Sequence, residues 1–207
     1  MLRRIADELR HHAPFTAAGA ATGIILMAII AFGNALPQVS QNSYTVFYIL
    51  HPAHIVLSAL VTTAIYRKYS DGRWWRAILI GYFGAVSIAT LSDSIIPYLG
   101  ETLLGLENRG IHIGFIEEPQ LTIPAAFVGI AIAYWRPTTK LPHYGHVLLS
   151  TWASLFHIIM ALGATVNWLI FPTIFAFLFL AVWLPCCTSD IVFPLLFVRE
   201  KLPRQHP

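Results

Sequence analysis

Charged residues are scarce in this sequence. Asp, Glu, Lys and Arg make up 11% of its 207 residues, whereas 57% are hydrophobic and the mean hydropathy is +0.65. A soluble domain has roughly a quarter of its residues charged. The low charge therefore excludes an ordinary soluble protein and predicts a polytopic membrane protein.

Cysteine and the common catalytic motifs are nearly absent as well. Only the adjacent Cys186 and Cys187 are present, and neighbouring cysteines rarely form an unstrained bridge, so a disulfide framework is excluded. The sequence has no phosphate-binding glycine loop, no nucleophile elbow and no HExxH segment, and it has no internal repeat. Function must therefore be sought among polar residues that lie inside apolar segments.

Six segments are apolar and long enough to span a bilayer, which takes about 20 residues. They are predicted at about residues 14–35, 45–66, 75–98, 119–135, 146–166 and 168–185. The expected fold is an all-α bundle of six transmembrane helices that forms one transmembrane domain over residues 1–207. Residues 99–118, called the lid below, are expected to be a partly helical loop on the outer surface.

The basic residues predict the orientation, because Lys and Arg favour the cytoplasmic side. Twelve of the 13 fall at one end of the predicted bundle: Arg3, Arg4, Arg10, Arg67, Lys68, Arg73, Arg76, Arg136, Lys140, Arg199, Lys201 and Arg204. Only Arg109 lies on the other side. Both termini are therefore predicted to be cytoplasmic, in the inner membrane of a prokaryote. The charge is interpreted as a topology signal rather than a nucleic-acid footprint.

The first span has an alternative interpretation as a cleaved signal peptide that covers residues 1–35. Its apolar run is longer than the usual signal core, and small residues at Gly33 and Ala35 are what favours cleavage. Removal would leave the orientation of the remaining spans unchanged.

Four ionisable side chains are predicted at overlapping depths in the outer half of the bundle. They are His51 and His54 on the second helix, Asp93 on the third and His157 on the fifth. At 1.5 Å of rise per residue they lie about 6 to 14 Å below the outer edge, where an ionisable group is costly unless it has a partner. His51 and His54 are three residues apart and share a helix face.

This arrangement predicts a site for a divalent transition metal, with zinc or iron first, because imidazole and carboxylate groups are the usual ligands. The full predicted set includes the lid and consists of His51, His54, Asp93, His112, Glu117, Glu118 and His157. The alternative interpretation is that these histidines only form hydrogen bonds across helices, with Asp93 in a structural or proton-relay contact.

A second group of metal-binding residue types is predicted at the cytoplasmic edge. It consists of His143, His146, Cys186, Cys187 and Asp190. Thiolates and imidazoles suit soft or borderline divalent ions. The alternative interpretation is simple packing, since buried cysteine often behaves as a small apolar residue.

Three functions are consistent with these patterns. The first is a transporter or binding subunit for a divalent transition metal, which would need a gradient, a homo-oligomer or an energising membrane partner. The second is an intramembrane metalloenzyme that acts on a lipid or periplasmic substrate, with Glu117 or Glu118 as general base. The third is a redox subunit in which His51 or His54 pairs with His157 to hold a b-type haem.

Overall fold

The structure, a computed structural model, is a bundle of α-helices. It describes residues 2–70, 73–136, 140–163, 167–187 and 192–197, without the side chains of 2–9, 11, 12, 140–143, 187 and 195. The α-helices are α1 Leu2–Phe32, α2 Leu36–Tyr69, α3 Trp74–Thr90, α4 Ile96–Leu103, α5 Gly114–Glu117, α6 Pro119–Trp135, α7 Lys140–Leu162, α8 Phe171–Cys187 and α9 Phe193–Leu196. A π turn, Leu91–Ile95, joins α3 to α4, and a 3₁₀ turn, Trp168–Ile170, precedes α8.

Five helical stretches in the described residues are long and apolar enough to cross a membrane. They are Ala13–Phe32, Leu36–Tyr69, Trp74–Leu103, Tyr144–Leu162 and Trp168–Cys186. Helix α6 is apolar but has only 17 residues, or about 25 Å of helix, against a bilayer core of about 30 Å. The prediction of a helical membrane protein is thus supported, while the sixth span and the orientation of the termini stay predictions.

Two of the predicted loops are partly helix. Helix α2 begins at Leu36, so residues 36–44, which lie outside the predicted spans, form its first turns. Pro37 fits there because the first turn of a helix needs no donor from it. Beyond the π turn, α4 continues to Leu103, and Pro97 again occupies a first turn. The lid therefore begins as helix, and Glu101 is a helical residue.

Helix α2 is the centre of the bundle and packs against α3, α6 and α7, while α1 packs against α7 and α8. One face of α2 is fully buried, at spacings of three and four residues: Phe47, His51, His54, Ser58 and Thr62. The close packing of α6 on α2 depends on Gly129, because a Cβ at that position would collide with the carbonyl oxygen of Val56. The core of the bundle thus contains a polar stripe.

Helices α8 and α9 are the last two elements among the described residues. Helix α8 includes Pro185 and extends to Cys187. The short α9 then packs against α2 and α3. It lies at the end of α2 that carries Arg67 and Lys68, called the basic end below, whereas the start of α2 lies beside the lid.

Candidate metal centre

Asp93 is the hub of the buried polar residues. It lies in the π turn Leu91–Ile95, a local widening of the helix that is frequent at functional sites. Helix α7 supports this turn, because Ser154 Oγ donates a hydrogen bond of 2.9 Å to the carbonyl oxygen of Ser92. Asp93 and Ser154 are both fully buried. The carboxylate is therefore held inside the bundle.

Four donors surround the Asp93 carboxylate. Oδ2 lies 2.9 Å from His51 Nδ1 and 2.7 Å from His54 Nδ1, and Oδ1 accepts hydrogen bonds of 2.7 Å from both Ser92 Oγ and Ser150 Oγ. To donate to the ionised carboxylate, each Nδ1 must carry the proton. In the neutral imidazoles, each Nε2 then has a free lone pair, as in metal sites where a carboxylate orients the histidine.

His54 lies beside two further metal-binding side chains. Its ring stacks on that of His146 with centroids 5.6 Å apart, and its Nε2 is 4.0 Å from Cys186 Sγ. His54, His146 and Cys186, called the His/Cys cluster below, offer one ligand atom each, and these atoms lie within 4.8 Å of one another. All three side chains are buried. In the part of the chain that the structure describes, this is the one group of three with such spacing.

The spacing of the His/Cys cluster is close to that of a zinc site. With Zn–S near 2.3 Å and Zn–N near 2.05 Å, tetrahedral coordination places N and S about 3.5 Å apart. The 4.0 Å from His54 Nε2 to Cys186 Sγ would need to shorten by about 0.5 Å. The other two pairs, whose ligand atoms are up to 4.8 Å apart, would need to shorten by up to about 1.4 Å.

His51 shares Asp93 with His54 but presents its Nε2 to the lid. That atom is buried and has no hydrogen-bond partner among the described residues. A Cβ on Gly114 would lie 2.6 Å from it, so the backbone of α5 packs directly on the imidazole. The two histidines predicted to face one ion therefore meet at Asp93 Oδ2 while their Nε2 atoms face different surroundings.

His157, which was expected beside Asp93, pairs with Glu101 instead. Its Nδ1 lies 2.6 Å from Glu101 Oε1, and both side chains are fully buried or nearly so. Ser150 is the residue of α7 that reaches Asp93. His157 follows Ser150 by seven residues, or about 10 Å along α7. At that level it meets Glu101, which follows Asp93 by eight residues and lies on α4. His157 therefore pairs with Glu101, whereas His51 and His54 contact Asp93 directly.

The lid carboxylates are held near the start of α2. Glu117 Oε2 accepts a hydrogen bond of 2.6 Å from Tyr48 and lies 3.1 Å from His112 Nδ1. The His112 backbone N–H points at His157 Nε2 at 3.5 Å. Glu118 accepts hydrogen bonds from Tyr44, at 3.4 Å, and from Gln120. Of the predicted lid ligands, His112 thus contacts His157, and Glu117 contacts His112.

The group predicted at the cytoplasmic edge is only partly described. His146 and Cys186 are buried beside His54, so the two sites that were predicted separately meet at one residue. The side chains of His143 and Cys187, and the whole of Asp190, lie outside the described residues.

Sequence reasoning missed Glu101 and Ser150, and helical spacing could have identified both. Asp93, Pro97 and Glu101 are four residues apart and buried, which places them on one helix face. His146, Ser150, Ser154 and His157 follow spacings of four, four and three, and all are fully buried on α7.

The packing around Phe47 argues against the haem hypothesis for one of its pairs. Phe47 stacks on His51 with centroids 5.1 Å apart and lies edge-on to His157 at 5.4 Å. An aromatic side chain therefore packs against both rings of this pair.

The chain matches no protein-family model, no curated protein and no solved structure.

Proposed function

We propose that the protein binds a divalent transition-metal ion at the His/Cys cluster and transports it through the bundle, with zinc as the first candidate. The observation that carries the proposal is the spacing of the ligand atoms of His54, His146 and Cys186, which lie within 4.8 Å of one another in the protein interior. Two imidazoles and a thiolate are a ligand set that zinc favours.

The charges around the His/Cys cluster support a divalent ion. A metal-bound cysteine is a thiolate with one negative charge, and the Asp93 carboxylate, which accepts from His54 Nδ1, supplies a second. A divalent cation would bring the net charge of the metal, the thiolate and the Asp93 carboxylate to zero. Neutrality matters here because an uncompensated charge at bilayer depth is expensive.

The distribution of buried polar groups favours transport over a purely structural site. From the His/Cys cluster toward the lid, the interior contains Asp93, then His51, then the pair of Glu101 and His157, and finally Glu117 with Tyr48 and His112 at the surface. A permeating ion needs successive polar groups to replace its hydration shell. A structural metal would need the cluster alone.

Metal analysis of purified protein tests the binding step. Protein purified in mild detergent without a His tag should hold about one equivalent of zinc, and His54→Ala, His146→Ala and Cys186→Ser should each reduce it to less than about a tenth. His157→Ala is the matched control, because His157 is equally buried but pairs with Glu101. Full zinc in all three cluster variants would refute the proposed site.

Flux measurements test the transport step separately. In proteoliposomes that contain a zinc-sensitive dye, the wild type should admit zinc under an imposed zinc gradient, and His54→Ala should not. Glu101→Gln should keep bound zinc but slow its entry, because Glu101 lies between Glu117 and the His/Cys cluster on the proposed path. Binding without flux in the wild type would reduce the function to that of a binding subunit.

An intramembrane metalloenzyme is the second candidate, and one observation favours it. Three protein ligands leave a fourth coordination position open, as in catalytic zinc sites. Glu117 and Glu118 are engaged at the lid, so Asp93 is the carboxylate nearest this position. Incubation of zinc-loaded protein with a bacterial lipid extract, with His54→Ala as control, should give new lipid products by mass spectrometry if this candidate is correct.

A further inference from the structure

A groove opens on the membrane-facing surface near the basic end, away from the metal centre. It has a volume of about 470 Å³, which falls in the size range of small-molecule sites. The buried Tyr66 and Ile80 form part of its floor, and Phe193 of α9 packs against both. The groove is therefore built where α2, α3 and α9 meet.

The walls of the groove are apolar and face outward. Leu79, Phe83 and Phe197 line it with 46%, 56% and 52% of their surface exposed. In a membrane-spanning bundle such side chains contact acyl chains. The length of the wall also fits part of an acyl chain, because Arg76 and Phe83 are seven residues apart on α3, or about 10 Å of helix.

One end of the groove is positively charged. Arg76 lines it in the first turn of α3, and its guanidinium lies 5.2 Å from the ring centroid of Trp75, a residue type that marks the headgroup level of a membrane. Arg67 and Lys68 lie in the last turn of α2 at the same end of the bundle. An acyl-sized apolar groove with a cation at its mouth complements an anionic amphiphile.

We infer that this groove is a binding site for an anionic phospholipid, with the phosphate at Arg76 and one acyl chain along Leu79 and Phe83 toward Phe197. Basic pockets between helices at the headgroup level are a known way to hold acidic lipids. The inference is independent of the proposed metal function, since the groove shares no residue with the His/Cys cluster.

Native mass spectrometry with defined lipids tests the inference. Protein delipidated in mild detergent is mixed with equal amounts of phosphatidylglycerol and phosphatidylethanolamine, and the retained lipid is counted. The wild type should keep one phosphatidylglycerol. Arg76→Gln should weaken its retention about fivefold, as expected for one cation at the headgroup level.

Two matched controls make the result specific. Arg73→Gln removes the same charge three residues earlier, at a residue that does not line the groove, and should leave retention within about twofold. Phe83→Ala should weaken retention, whereas Phe127→Ala, at a similarly exposed phenylalanine of α6, should not. Circular dichroism verifies that each variant is folded.

Three outcomes would overturn the inference. Equal retention of the zwitterionic lipid would mean that Arg76 does not select a headgroup. Equal losses in Arg73→Gln and Arg76→Gln would indicate diffuse surface charge. A dimer that Phe83→Ala dissociates, with no lipid retained by the wild type, would mean that a second copy of the chain covers the groove.

Discussion

Replacement of Asp93 by Asn separates the charge of this residue from its hydrogen bonds. Asn has nearly the same shape, and its oxygen can accept from the two Nδ1 atoms while its NH₂ group donates to the Ser92 and Ser150 hydroxyls, which can rotate. The Ser92 hydroxyl can then donate to the carbonyl oxygen of Ala89, 3.3 Å away. The helices should therefore pack as in the wild type, but the negative charge behind His54 is gone.

The expected effect of Asp93→Asn on zinc affinity follows from that geometry. Loss of a carboxylate that orients a metal-binding histidine typically weakens the metal 10–100-fold, or roughly 1.4–2.7 kcal/mol. Chelator competition in detergent measures this directly. Glu101→Gln is the matched control, because Glu101 is also a buried carboxylate paired with a histidine through Nδ1, but outside the His/Cys cluster. It should change the affinity by no more than about twofold.

Two results would refute the reasoning. If Asp93→Asn bound zinc as tightly as the wild type, the carboxylate would not support the metal. If Glu101→Gln weakened zinc as much as Asp93→Asn, the effect would reflect general destabilisation of buried carboxylate pairs. By contrast, Asp93→Ala should fail to fold, because it leaves three buried donors, His51 Nδ1, His54 Nδ1 and Ser150 Oγ, without their acceptor at about 1–3 kcal/mol each.

Three further predictions concern the lid, the packing and the topology. Tyr48→Phe removes the 2.6 Å hydrogen bond to Glu117, which is worth about 1.5–3 kcal/mol. Hydrogen exchange in α5 should therefore accelerate at least about tenfold. Tyr44→Phe is the control and should accelerate it less, because Tyr44 forms the weaker 3.4 Å bond to Glu118. Gly129→Ala should lower the free energy of unfolding by about 1–3 kcal/mol in a thermal melt, and more than Gly145→Ala, whose Cβ would meet only the flexible Leu57 side chain. Reporter fusions after residues 40 and 110 should score as periplasmic and those after 70 and 140 as cytoplasmic; any reversal contradicts the predicted orientation.

The class of the fold follows from the long apolar segments, because a helix of about 20 apolar residues crosses a bilayer with its backbone hydrogen bonds satisfied within the segment. Residues 36–44 and 99–103 lie outside the apolar segments that predict the spans, but they continue the helices of adjacent spans. Polar composition does not end a helix whose backbone hydrogen bonds can be continued.

The Asp93 contacts with His51 and His54 could be expected from depth and from the three-residue spacing. The partner of His157 could not, because that required the extension of α4 to Glu101 and the offset of α7 along its axis. The link between His54 and Cys186 depends on which helices are neighbours, and a single sequence does not encode that order in any periodic pattern.

X-ray absorption at the zinc edge tests the central claim most directly, because sulfur and nitrogen ligands differ in distance and scattering. Zinc-loaded wild type should show one sulfur near 2.3 Å and at least two nitrogen or oxygen ligands near 2.0–2.1 Å. Any zinc that Cys186→Ser retains when zinc is in excess should show no sulfur ligand, and any zinc that His54→Ala or His146→Ala retains should show a weaker imidazole signal. A wild-type spectrum with no sulfur ligand, or one that Cys186→Ser leaves unchanged, would contradict the proposed metal centre.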